Sequence, residues 1–238
     1  MSTENGSDQL FADATFDSLE LPGPVRAAVD EQGWTRMTRV QHQVLPEALA
    51  GRDVVVQAQT GSGKTATYLL TIFTHMLKVP RTTPPEVPRA LIVAPTRELA
   101  VQIRGDAETL GRHVGVKVHV VFGGLDYKRQ RDILSAGTDL LIGTPGRLID
   151  YHKQGAYSLS ATEIVVVDEC DRLFDMGFAD DLRWLLRRLP PPEKRQSQGR
   201  REAQTAGCRT GRRCTKLTGR RTPSRRPTSC RRSSSRPR

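Results

Sequence analysis

The 238-residue sequence predicts an α/β fold, a mostly parallel sheet with helices on both faces. Three observations carry that expectation. Short, β-rich apolar runs alternate with amphipathic segments through the middle of the chain. The first run leads into Ala58-Gln59-Thr60-Gly61-Ser62-Gly63-Lys64-Thr65, and the last, Val165-Val166-Val167, leads into Asp168-Glu169-Cys170-Asp171. A parallel sheet places such a glycine-rich turn and such a strand-end carboxylate along one ligand-binding edge.

Residues 1–15 read as a polar leader without order. From Pro22 to Gln32, Val25, Ala28 and Val29 recur at helical spacing, with Gly33 placed to end the segment. Thr38 and Gln41 form a capping box ahead of Val40, Val44, Leu45 and Ala48, which share one helical face that Gly51 closes. The period then changes. Strands are expected at 53–57, 90–94, 116–122, 139–143 and 163–168. The helix after the glycine-rich turn points Leu69, Phe73, Met76 and Leu77 inward; a second runs from Arg97 to Leu110; a final one aligns Phe178, Leu182, Leu185, Leu186 and Leu189. Pro80 to Pro88 and Pro190 to Lys194 read as loops.

Charge divides the chain. Residues 198–238 hold 14 Lys and Arg against one Glu, whereas residues 1–197 hold 23 against 25 acidic residues. The pI near 10 therefore belongs to a basic tail that contains one large apolar residue, Leu217. Ordering each residue costs about 1–2 kcal/mol, so a tail with nothing to bury is expected to be disordered. Its positive charge suits polyanions. Cys208, Cys214 and Cys230 match no zinc spacing and the five His are scattered, so neither a metal cluster nor a disulfide framework is implied. No apolar run reaches membrane-spanning length, and a cytoplasmic protein is expected.

In the glycine-rich turn, Gly61 and Gly63 let backbone N–H groups approach an anion, with the N-terminus of the next helix behind them. Lys64 would reach the β- and γ-phosphates of ATP, and the Thr65 hydroxyl would bind Mg2+. Asp168 is placed to hold the same metal and Glu169 to orient or deprotonate a water. The chemistry expected is ATP hydrolysis.

With both boxes in hand, the chain from about Phe16 to Ser197 resembles the DEAD-box RNA helicases, most closely a bacterial type within them. The resemblance rests on Phe16 with Gly33-Trp34 and Gln41, on Ala58 to Thr65, on Pro95-Thr96-Arg97-Glu98-Leu99-Ala100, on Gly123-Gly124, on Thr144-Pro145-Gly146-Arg147, and on Asp168 to Asp171. It implies a RecA-like P-loop NTPase domain that couples ATP hydrolysis to unwinding and remodelling of RNA duplexes. It further implies that Gln41 hydrogen-bonds adenine while Phe16 stacks nearby, and that Ala58, Thr60, Gly61, Ser62, Gly63, Lys64 and Thr65 line the nucleotide. Pro95, Thr96, Arg97, Gly123, Gly124, Thr144, Pro145, Gly146 and Arg147 would hold the RNA backbone without reading its sequence. A protein partner from an RNA-degrading complex is implied by the family.

Three departures stand out. Met37-Thr38-Arg39-Val40-Gln41 replaces the usual Pro-Thr-Pro-Ile-Gln, and Cys170 stands in the acidic box where the family has Ala. After Arg195-Gln196-Ser197 the family continues into an apolar strand ending in Ser-Ala-Thr and then a second RecA-like domain with arginine fingers. That strand lies in a central slot of the sheet. The resemblance therefore implies an incomplete first domain that folds poorly unless another segment fills the slot, with little turnover of its own. A shifted reading frame and a genuine Arg-rich RNA-binding extension both account for the tail. The competing function is a non-enzymatic RNA-binding fragment acting through those arginines.

Overall fold

The structure, a computed structural model, describes residues 10–124, 126–190 and 215–218. Two short strands come first. β1 (Phe11–Thr15) pairs antiparallel with β2 (Arg36–Thr38), and between them α1 (Gly23–Glu31) buries Val25, Ala28 and Val29 as its spacing predicts. The expectation of a disordered leader is thus corrected at Phe11 to Thr15, where β2 supplies backbone partners that the local sequence does not reveal. α2 (Arg39–Leu49) begins at the predicted capping box.

The sheet follows with β3 (Val54–Val56), α3 (Lys64–Lys78), β4 (Ala90–Val93), α4 (Arg97–Leu110), β5 (Val118–Val121), α5 (Tyr127–Ser135), β6 (Leu140–Gly143), α6 (Pro145–Lys153), β7 (Ile164–Val167), α7 (Cys170–Asp175), α8 (Ala179–Leu186) and β8 (Thr215–Thr218). Its order is β3-β8-β7-β4-β6-β5. β7, β4, β6 and β5 are parallel, and β4, buried at every position, lies between β7 and β6. Apolar clusters cover both faces. Leu69, Phe73, Ile92, Ile103 and Val166 belong to one; Leu91, Leu141, Leu148, Val165 and Leu185 belong to the other. Leu77, expected inward, is exposed, because α3 turns that flank away from α2 and the sheet.

β8 changes the account of the basic tail. It fills the slot between β3 and β7, antiparallel to both, with Leu217 opposite Val54 and Val166. Disorder was expected throughout 198–238, and at 215–218 that expectation is corrected. Two strand edges facing each other across an open slot strand backbone groups at about 1–3 kcal/mol each if buried, and main-chain pairing accepts almost any extended segment. The three tail cysteines and the rest of the expected disorder lie outside the described residues.

An ion-paired anchor ties this frame together at the opposite end of the strands. Arg89, 5% exposed, donates to Glu163, to the Met76 carbonyl at 3.0 Å and to the Val79 carbonyl at 2.8 Å, while His75 meets Glu163 at 2.6 Å. Burial pushes the Glu163 carboxyl up, but His75 and Arg89 outweigh it and hold it below the usual carboxylate range.

Candidate functional site

Every predicted site segment after Gln41 follows the carboxyl end of a strand: 58–65 after β3, Pro95 to Arg97 after β4, Gly123-Gly124 after β5, Thr144 to Arg147 after β6, and Asp168-Glu169 after β7. Carboxyl ends of parallel strands share one edge of the sheet, so segments up to 110 positions apart in sequence converge there. They form two neighbouring regions.

The first is the phosphate loop. Gly61 (φ 81°) and Gly63 (φ 84°) adopt left-handed backbone, which glycine occupies without a steric penalty. A Cβ at Gly63 would lie 2.7 Å from Gln41 Nε2, so this glycine is required by space as well as by φ. Lys64 donates to the carbonyls of Ala58 at 2.6 Å and Gln59 at 2.8 Å, and the Ser62 hydroxyl donates to Gln59 O. The ammonium therefore lies folded across the loop that a phosphate would enter. Thr60 is exposed on the turn and Thr65 is half-buried in the first turn of α3.

Gln41 is buried beside this loop. Its Oε1 accepts the Thr38 N–H at 2.8 Å, its own N–H donates to Thr38 Oγ1, and the Thr38 hydroxyl donates to Ser62 O at 2.8 Å. The capping box is formed and stitches α2 onto the phosphate loop. Half of the Gln41 amide is thereby committed, which leaves Nε2 as its outward donor. Phe16 is placed differently from expectation. It is 1% exposed and stacked on Trp34 at 6.3 Å, in the core. Its ring packs α1 and the β1–β2 arm rather than offering a surface to a base.

Asp168 sits at the end of β7, 4% exposed. Its Oδ1 accepts the Glu169 N–H at 2.9 Å and its Oδ2 accepts the Tyr68 hydroxyl at 3.0 Å. Burial pushes the Asp168 carboxyl above its ordinary value; the Tyr68 and Glu169 hydrogen bonds oppose it, the Glu169 charge adds to it, and the Lys64 charge opposes it. Lys64 and Asp168 thus share one electrostatic neighbourhood, as the pairing of the two boxes requires. Glu169 is the one non-glycine residue with positive φ (43°) among the described residues, a conformation concentrated at functional sites. Its carboxylate meets Arg172 at 3.3 Å.

The second region is a groove lined by Pro95, Thr96, Arg97, Gly123, Thr144, Gly146 and Arg147, joined by Asp150, Met176 and Phe178. The N-termini of α4 and α6 open toward it, Thr96 capping the first through a bond to Leu99 N. A Cβ on Gly124 (φ 92°) would lie 2.7 Å from an Arg97 nitrogen, and one on Gly123 would lie 3.0 Å away. The glycine pair makes room for the Arg97 guanidinium. Arg147 lies over the rings of Tyr127 (5.0 Å) and Tyr151 (5.4 Å) and meets Asp150 at 3.5 Å. Pro145 is buried at the first helical position of α6.

Sequence reasoning missed Tyr68, the two tyrosines under Arg147, and Gln130, whose Oε1 accepts the Phe122 N–H beside the glycine pair. Only Tyr68 carried a usable signal: it lies one helical turn after Lys64, on the same face. Among the described residues no group of three or more His, Cys, Asp or Glu could hold a metal ion by itself. A Mg2+ that takes one carboxylate, one hydroxyl and phosphate oxygens needs no such group, and Asp168 and Thr65 are the residues here that fit it.

The fold and this edge define a nucleotide-binding α/β domain with phosphate loop and acidic box at the ends of β3 and β7, the two strands that flank β8. The family profile described as DEAD/DEAH box helicase matches residues 38–201, and the chain belongs to that family. It is 49% identical over 194 residues to the ATP-dependent RNA helicase RhlB of Xanthomonas oryzae, covering 80% of this chain and 34% of that protein. It is 47% identical over 197 residues to the RhlB of Hamiltonella defensa, covering 82% and 46%. A hypothetical ATP-dependent RNA helicase from Sulfolobus tokodaii, solved by crystallography, superposes with a TM-score of 0.63 at 38% identity over 71% of this chain and 47% of that one. The chain spans between a third and a half of the curated relatives it matches.

Proposed function

We propose that this chain is the ATP- and RNA-gripping lobe of an ATP-dependent RNA helicase. The observation that carries the reading is the convergence of the two regions on one sheet edge, with Lys64 within electrostatic reach of Asp168. The phosphate loop supplies N–H donors and Lys64 to a triphosphate. Gln41 offers Nε2 to adenine while Oε1 stays in the capping box. Thr65 and Asp168 would hold Mg2+, which would neutralise phosphate charge. Glu169 would orient the attacking water. In the groove, the α4 and α6 N-termini, Arg97 and Arg147 would take consecutive RNA phosphates, giving affinity without sequence readout. Duplex unwinding, an RNA-degrading partner complex and a cytoplasmic setting belong to the same proposal. No helix among the described residues is long and apolar enough to cross a membrane.

Nucleotide titration of the chain with fluorescent ADP, with and without single-stranded RNA and at several salt concentrations, tests it. The lobe reading expects saturable nucleotide binding that changes RNA affinity. The charge excess in residues 198–238 supports a second reading, RNA binding by the basic tail alone. That reading expects RNA binding that ignores nucleotide and falls steeply with salt.

A further inference from the structure

The Tyr68 hydroxyl bonds one of the two groups assigned to Mg2+. It donates to Asp168 Oδ2 at 3.0 Å, joining residues 100 positions apart on α3 and at the end of β7. Thr65 lies one turn earlier on the same face of α3. Tyr68 is 3% exposed and Asp168 4%.

We propose that Tyr68 is a positioning residue for metal-dependent nucleotide binding, its hydroxyl fixing the Asp168 carboxylate that would hold the metal together with Thr65. The proposal rests on the reading that these two residues hold Mg2+. Packing alone does not call for a hydroxyl here, since a phenylalanine of the same shape would fill the space. A buried hydroxyl is tolerated only where it is bonded, and its partner here is the metal-site carboxylate. With Oδ1 held by the Glu169 N–H and Oδ2 by Tyr68, the carboxylate cannot rotate, yet each oxygen keeps a lone pair for a metal or its water. Without the hydroxyl, Oδ2 loses its protein donor. Partners that orient metal ligands in this way typically change metal affinity by about 10–100-fold.

The test is fluorescent ADP binding to the full chain as Mg2+ is titrated from a chelated start. In Tyr68→Phe the Mg2+ midpoint is expected to rise about tenfold, with metal-free ADP affinity unchanged. In an Asp168→Asn background, adding Tyr68→Phe is expected to have no further effect. An unchanged midpoint overturns the proposal, as does an equal loss with and without Mg2+, which would mark a packing role. A wild-type chain whose ADP binding ignores Mg2+ sinks the metal reading beneath it as well; a responsive wild type with an unaffected variant sinks only the role of Tyr68. Should Tyr68→Phe not fold, ring-carbon NMR of the four tyrosines in the unmodified chain decides. A single resonance should shift when Mg2+ is added to the ADP complex and stay still in Asp168→Asn; no tyrosine response overturns the proposal.

Discussion

The phosphate-loop region and the groove beside it share one sheet edge but are built on opposite plans. Around the loop, polar groups already grip one another: Lys64 on two carbonyls, Gln41 and Thr38 in a reciprocal cap, Asp168 between Tyr68 and the Glu169 N–H. In the groove, the cations rest on space and soft surfaces, Arg97 against the glycine pair and Arg147 over two tyrosine rings. The loop is a directional device in which a single atom decides the outcome. The groove sets two arginines beside Glu98 and Asp150 in a tolerant geometry.

Five substitutions break or sharpen this contrast. The largest effect should come from the frame beneath both regions. Arg89→Ala leaves half-buried Glu163 with His75 and removes the buried donor of the Met76 and Val79 carbonyls, and about 3–5 kcal/mol of stability is expected to go, read as a lower urea midpoint with both binding activities reduced together. The same pair sets an acid limit. Because the Glu163 pKa is lowered by folding, its contribution is present above the ordinary glutamate value and is lost as pH falls through the lowered folded value. Glu163→Gln should flatten that part of the stability–pH curve.

Next is Lys64→Ala, which removes charged hydrogen bonds worth about 1.5–3 kcal/mol. Calorimetry should show ADP affinity falling by ~10- to 150-fold while nucleotide-free RNA affinity stays put. A parallel loss of RNA binding would erase the distinction between the regions.

Gly124→Ala works on the other side. A Cβ at φ 92° costs about 1–2 kcal/mol and displaces Arg97, so fluorescence anisotropy should report roughly tenfold weaker RNA with ADP binding intact. Smallest is Arg147→Ala. One lost phosphate contact should lower the slope of log affinity against log salt by about 0.7 for single strands, with the same effect on every RNA sequence tried.

Much of the fold was legible because its signals are local. The Thr38/Gln41 box, the α4 boundaries and the strand before each box follow from spacing within a dozen residues, and the structure places them as read. α5 and α7 were not singled out, being short and largely exposed helices whose apolar spacing is thin. Phe16 and Leu77 were misplaced for one reason: the sequence shows that a residue is apolar, not which neighbour reaches it. In the site, residue types were legible and their partners were not.

The sequence by itself determined that a strand, a glycine-rich turn and a helix follow one another at residues 54–78, and that a carboxylate ends β7, because contiguous patterns dictate local backbone geometry. Only the tertiary structure decided that Tyr68 meets Asp168, that the Thr38 hydroxyl meets Ser62 O, that the β1–β2 arm encloses Phe16, and that β8 lies between β3 and β7. Those outcomes depend on sheet order and on main-chain hydrogen bonds, which form between extended segments whatever side chains they carry and so leave little trace in the order of residues.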